Sequence, residues 1–171
     1  MTARAGAEGA PRFYGKYRGK VVANVDPMQL GRLQVAVPDV HGSARVAWAL
    51  PSMPYAGPGV GVFALPPVDA NVWVEFEAGD PDSPIWTGVF WDDAQPVPAS
   101  PAAPTTKVLA FDGATITIDD APGAGRVTIE SAAGAKIVLG PQGIEIDNGQ
   151  GASISLQGPK VAVNGGALEV I

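Results

Sequence analysis

The sequence predicts an all-β protein: a small barrel followed by a repetitive, strand-rich tail wound together with other copies of itself. Three observations carry this. Glycine (22) and proline (17) interrupt the 171-residue chain every few positions, which suits short strands and starves long helices. Runs that alternate apolar and polar side chains recur from Phe13 to Trp91, with no helical period among them. After a proline-rich stretch the runs shorten to triplets that return at quasi-regular intervals.

The first strand is read over residues 17–25. In the turn Asp26-Pro27-Met28-Gln29 the proline presets a backbone dihedral. Residues 31–38 follow, with Leu33, Val35 and Val37 on one face and Arg32 and Gln34 on the other. Residues 44–50 form a third strand, stopped by Pro51, and 51–70 read as loop with one short apolar interruption at Val62-Phe-Ala-Leu65. Residues 71–77 place Val72, Val74 and Phe76 opposite Trp73, Glu75 and Glu77, and an acidic turn at 79–84 leads to a last strand over 85–91. Strands so close in sequence fit a closed or nearly closed barrel better than a sandwich. The expected organisation is a flexible arm over 1–12, the barrel over 13–93, a linker over 94–107 and the repetitive tail over 108–171. The linker's spaced prolines favour an extended, semi-rigid conformation.

The tail triplets are Ile116-Thr-Ile118, Val127-Thr-Ile129, Ile137-Val-Leu139, Ile144-Glu-Ile146, Ile154-Ser-Leu156, Val161-Ala-Val163 and Leu168-Glu-Val170. Each offers two branched side chains to one face and its middle residue, usually polar, to the other. That is too little for one chain to close a solenoid core. Burying such a side chain contributes roughly 1.5–3 kcal/mol, while ordering each residue costs about 1–2 kcal/mol of backbone entropy. Three chains wound together change the balance, because every inward pair then meets two others, and sticky strand edges find partners. The triplets from Ile116 to Val163 are therefore the expected core of an obligate homotrimer. A sheet extension folded back on the barrel is the alternative.

Composition narrows the function. There is no cysteine and a single histidine, His41, which excludes disulfides, thiolate zinc sites and a histidine cage. A net charge of −6 argues against a phosphate-binding surface. The start of the chain lacks the apolar core of a secretory signal and no stretch is long enough to span a bilayer, so synthesis in the cytoplasm is expected. Glu75, Glu77, Asp80, Asp82, Asp92 and Asp93 could suggest paired catalytic carboxylates or a calcium site, but strand alternation and turn preference account for them. His41 lies in a turn signature, and the glycines of Gly57-Pro-Gly-Val-Gly61 precede no helix and cradle no phosphate. Trp48, Trp73, Trp86, Phe90 and Trp91 invite a base-stacking reading. Stacking needs basic residues beside the rings, and here Glu75 and Glu77 share a face with Trp73, so packing or contact between barrels is expected instead.

Residues 14–91 resemble the oligonucleotide/oligosaccharide-binding (OB) type barrel of phage baseplate assembly protein V and its relatives. These include the central spikes of contractile injection systems and the valine–glycine-repeat spikes of type VI secretion. The resemblance rests on Tyr17-Arg-Gly-Lys-Val-Val22, Asp26-Pro27, Gly31-Arg-Leu-Gln-Val35, Pro38-Asp39, Trp48-Ala49, Pro66-Pro67-Val68, Val72-Trp-Val-Glu-Phe-Glu77, Gly79-Asp80 and Pro84-Ile-Trp86 with Gly88. The tail resembles the same family's trimeric, intertwined β-helix. Some relatives carry a lysozyme domain between barrel and needle or a hub domain ahead of the barrel. Here only the linker and a short arm stand in those places, so the resemblance implies a minimal spike whose hub is a separate protein.

It further implies a structural protein rather than an enzyme, with no cofactor, metal or nucleic acid. Three barrels would sit in the baseplate hub, with a needle that meets the target membrane only on firing. The particle, assembled in the cell, would deliver the spike outside on contraction. The sequence runs apolar to its last residue, so Leu168, Glu169, Val170 and Ile171 are the expected docking face for a PAAR-type tip protein. The alternative function is an OB-type module that binds single-stranded nucleic acid or polysaccharide and carries a β-solenoid tail.

Overall fold

The computed structural model describes residues 11–93, 95–123 and 125–170, the side chains of Glu169 and Val170 excepted. The arm expected over 1–12 thus lies almost wholly outside the described residues, as does Ile171. The chain divides into two compact units, Met1–Gln95 and Pro96–Ile171.

In the first unit, β1 (Tyr17–Ala23), β2 (Leu33–Ala36), β3 (Val46–Pro51), β6 (Asn71–Phe76) and β7 (Pro84–Phe90) close a barrel in the order β1-β2-β3-β7-β6. All its pairs are antiparallel except β3 with β7, where Leu50 lies opposite Ile85 and Pro51 opposite Trp86. Period-two alternation sends Val21, Leu33, Val35, Val72 and Val74 inward, and all five are fully buried. Trp86 fills the core beside them and donates its indole N–H to the Gly31 carbonyl at 3.3 Å. At one end Phe13, Tyr17 and His41 pack their rings against Phe76.

Two short elements escape the strand-only reading. Pro38–His41 forms one helical turn, α1, begun by a proline whose fixed φ suits a first helical position. His41 is therefore a helix-end residue rather than a loop residue; four residues are too few to display a 3.6-residue period. Within the stretch read as loop, β4 (Ala56–Gly57) and β5 (Val60–Gly61) pair as a small hairpin, separate from the barrel sheet. Its two-residue strands show no alternation to detect.

In the second unit, residues 96–105 carry no strand and lead into eight that do. These are β8 (Thr106–Phe111), β9 (Ala114–Asp119), β10 (Arg126–Ser131), β11 (Lys136–Gly140), β12 (Gly143–Asp147), β13 (Ser153–Gln157), β14 (Lys160–Val163) and β15 (Leu168–Val170). They supply the C-terminal strand-rich part of the all-β fold class. Within one chain they run as an antiparallel meander in which neighbours in sequence are neighbours in the sheet.

The tight β11–β12 turn depends on Gly143. Its φ is +134°, and a Cβ built there would lie 1.8 Å from the Leu156 carbonyl oxygen on β13. A side chain at this position forces the strands apart. Gly113 meets nothing within 4 Å. Gly143→Ala is expected to cost at least about 1–3 kcal/mol, a fall of several degrees in melting temperature, and Gly113→Ala within about 0.5 kcal/mol. Thermal melts of the two variants check this; equal losses would contradict the close approach.

Candidate functional site

Each tail triplet lies within a strand, and the register sets like against like. Ile116 lies opposite Ile129, Ile129 opposite Ile137, Ile137 opposite Ile146, Ile146 opposite Ile154, and Ile154 opposite Val163. A second row runs Ile118, Val127, Leu139, Ile144, Leu156, Val161 through the same pairs. Directly opposed residues share a face, so these side chains form one apolar band two residues wide. Leu109 and Leu168 extend the first row at its two ends, opposite Ile116 and Val163, and both are 60% exposed. Leu109 escaped the sequence reading because Lys107-Val-Leu109 lacks a second branched partner and a polar middle.

The band stays exposed or half-buried among the described residues. Between Leu109 and Leu168 its exposed members lie between 36% (Val161) and 42% (Leu139, Ile146) accessible, where the barrel core stands at 6% or less. Along the first row the sheet forms a trough of about 630 Å³, lined by Ile129, Ile137, Ile146, Ile154 and Val163 with small alanines. The opposite face is mixed: it carries Thr117 across from Thr128, Lys136 flanked by Glu130 and Asp147, and also Val138 and the buried Ala162. Covering a side chain that is about two-fifths exposed contributes roughly 1 kcal/mol, two-fifths of the value for full burial. Over the whole band that amounts to about 10 kcal/mol per chain, comparable to the net stability of a domain.

Of the residues expected at a docking face, Leu168 to Val170 form β15 at one edge of the sheet, with no strand on its outer side among the described residues. The side chains of Glu169 and Val170 and the whole of Ile171 lie outside the described residues.

In the barrel four of the six acidic residues singled out have structural partners. Glu75 pairs with Lys16 at 3.0 Å, and Asp80 accepts the backbone N–H of Asp82 at 3.0 Å within its turn. Asp82 pairs with Arg45, and Asp92 accepts from Asn71 at 2.8 Å. Glu77 sits in a 3₁₀ turn, Glu77–Gly79, and not on the strand face shared by Trp73 and Glu75. Among the described residues no group of three or more His, Asp or Glu side chains converges in a way that could hold a metal ion.

The aromatic rings do have basic neighbours, which corrects the expectation from sequence. The Arg18 guanidinium lies 5.4 Å from the Trp73 ring centre and 5.0 Å from that of Phe90, and Arg32 lies 5.1 Å over Trp48. The reason is cross-strand register: Arg18 on β1 stands directly opposite Trp73 on β6. Arg32 is already engaged, because Asp26 grips it.

That grip organises the β1–β2 turn. The Asp26 carboxylate, 2% exposed, accepts the backbone N–H groups of Met28, Leu30 and Arg32 at 3.0, 2.9 and 3.2 Å. It also accepts the Arg32 guanidinium at 2.7 Å. This guanidinium above all, with the three backbone N–H groups, holds the Asp26 carboxyl well below its usual range against the opposing push of burial.

Two family models match the chain. Residues 17–91 match the type VI secretion system/phage-baseplate injector OB domain, and residues 107–169 match the phage baseplate V C-terminal trimerisation domain. No curated protein matches.

The Asp26 clamp has a definite pH signature. A pKa depressed below the ordinary 3.8 means its stabilisation is complete at neutral pH and is lost as the pH falls below about 4 toward the folded-state value. Asp26→Asn should melt below the wild type at about pH 7, with the gap narrowing at about pH 2.5. A gap of constant size across that range would show that the carboxylate's charge is not what matters.

Proposed function

From the family to which the chain belongs, the phage baseplate V and injector spikes, we propose that this chain is the central spike of a contractile tail-like particle, seated in the baseplate hub. The family is structural; its members assemble into phage or tail-like particles, and the C-terminal unit is its trimerisation domain. In the proposed assembly the apolar bands of three chains face one another, so that Ile116, Ile118, Val127, Ile129, Ile137, Leu139, Ile144, Ile146, Ile154, Leu156, Val161 and Val163 become the trimer core. The three sheets wind into a needle that punctures the target membrane on contraction.

The observation that carries this reading is the continuous apolar band itself, two residues wide on one face and exposed or half-buried among the described residues. Rigidity would be the function. The meander pairs its backbone groups internally, and burying the band would lock the sheets against bending. No catalytic step is proposed for the chain. The tip partner would dock at β15, whose open edge can accept further β-structure. The Arg18 stack on Trp73 and Phe90 favours the alternative of a binding barrel. Single-strand binding, however, draws on a basic track, and Lys16 beside it is paired with Glu75.

The full chain is expected to weigh three copies by light scattering at micromolar concentration, and a monomer there would sink the reading. Ile137→Asp or Ile154→Asp would set three like charges together on a desolvated face and should dissociate the trimer or lower its melting temperature by more than about 10 °C. Thr117→Asp on the opposite face should change it by at most a few degrees. Thr117 is a cleaner control than Ser155, which stands across from Glu145. Deleting residues 167–171 should leave the trimer folded but abolish capture of a tip protein encoded in the same cluster; full-strength capture would move the docking surface elsewhere.

A further inference from the structure

The barrel carries an apolar projection that is exposed among the described residues. Between Arg45 and Asp69 there is no charged residue, the longest such run in the sequence. Its middle is the β4–β5 hairpin, where Tyr55, Val60, Val62 and Phe63 are exposed. In an acidic protein this is an unusual surface to give to water.

The projection is fixed at its base. Ser52 donates its backbone N–H to the Trp86 carbonyl at 3.0 Å, and the Asn24 side chain donates to the Pro66 carbonyl at 3.1 Å. Phe63, Pro51 and Leu65 crowd over Gly31, each within 4 Å of where a Cβ would stand. The Val62 N–H closes the hairpin on the Tyr55 carbonyl at 3.0 Å. A segment ordered in this way loses little entropy when it binds, and so suits an interface.

We propose that the β4–β5 arm of one chain packs against the barrel of a neighbouring copy in the trimer. Charge selects this occupant. The barrel span 13–93 carries nine acidic and five basic side chains, a net charge of −4, so barrels gathered in one assembly repel wherever charged faces meet, and the uncharged run is the surface that can approach another copy without that penalty. Tethering supplies the concentration. Residues 96–105 reach at most about 36 Å when fully extended, which sets an effective concentration on the order of millimolar. A contact too weak to dimerise free barrels is then populated. The proposal rests on the trimer reading above.

The absence of cysteine makes the test direct, with single-cysteine variants of the full chain. Val60→Cys on the arm and Val89→Cys on β7 begin from near-equal exposure, 55% and 53%. Maleimide labelling of the native trimer should be at least about tenfold slower for Val60→Cys than for Val89→Cys. Adding Ile137→Asp, with dissociation verified by light scattering, should abolish the difference. Equal rates in a protein that weighs three copies would overturn the proposal and leave the arm free for a hub protein. Slow labelling that persists in the monomer would overturn it as well, by showing that the arm is covered by its own chain. A wild-type chain that weighs one copy would instead remove the trimer reading itself.

Discussion

The structure of the second unit depends on one constraint: a β-sheet with a continuous apolar face has to bury that face against something. The eight-stranded meander satisfies its backbone hydrogen bonds internally, but it places isoleucine across from isoleucine on five successive strands and leaves that row exposed or half-buried among the described residues. Alternation with a period of two fixes which side chains share the face, and a one-residue slip anywhere would turn that strand's apolar pair to the other side. Register and self-association are therefore a single property here. A partner that presents the same band is the simplest cover, and in the proposed trimer three copies would supply it.

The barrel answers a different requirement. It buries its own core completely, and its identity resides at the joints where strands turn. Asp26 gathers three backbone N–H groups and a guanidinium into one turn, and Gly31, at the end of that turn, receives both the Trp86 indole N–H and the crowding side chains of the 51–65 segment. Residues that in sequence are merely an Asp-Pro turn followed by Gly-Arg-Leu become a hub linking β1, β2, β7 and the hairpin arm. The ordered fragments that carry the family resemblance thus coincide with contacts, and not only with strands.

How much of this was legible follows from the range of each interaction. The barrel strands and the tail triplets announce themselves because alternation is local: Leu33, Val35 and Val37, or Ile144 and Ile146, can be assigned to a face from their neighbours alone. The antiparallel course of the meander could not be read from the triplets, whose spacing is compatible with coils and hairpins alike. The Arg18 stack was invisible because Trp73 is more than fifty residues away and meets it only through β1–β6 register. The helical turn at Pro38–His41 and the two-residue strands of the arm are shorter than any period that could betray them.

The meander also has a consequence for how such a chain can change its length. Each strand reverses the direction of the one before, and each from β9 to β14 contributes the same two apolar positions to the same face. Excising or duplicating two consecutive strands therefore restores both the direction of the chain and the facing of everything downstream, whereas a change of one strand would send the remainder the opposite way. The sheet is divisible in units of a hairpin. Its extent is a quantity that insertion and deletion can adjust stepwise, without redesigning the band that the proposed trimer would bury.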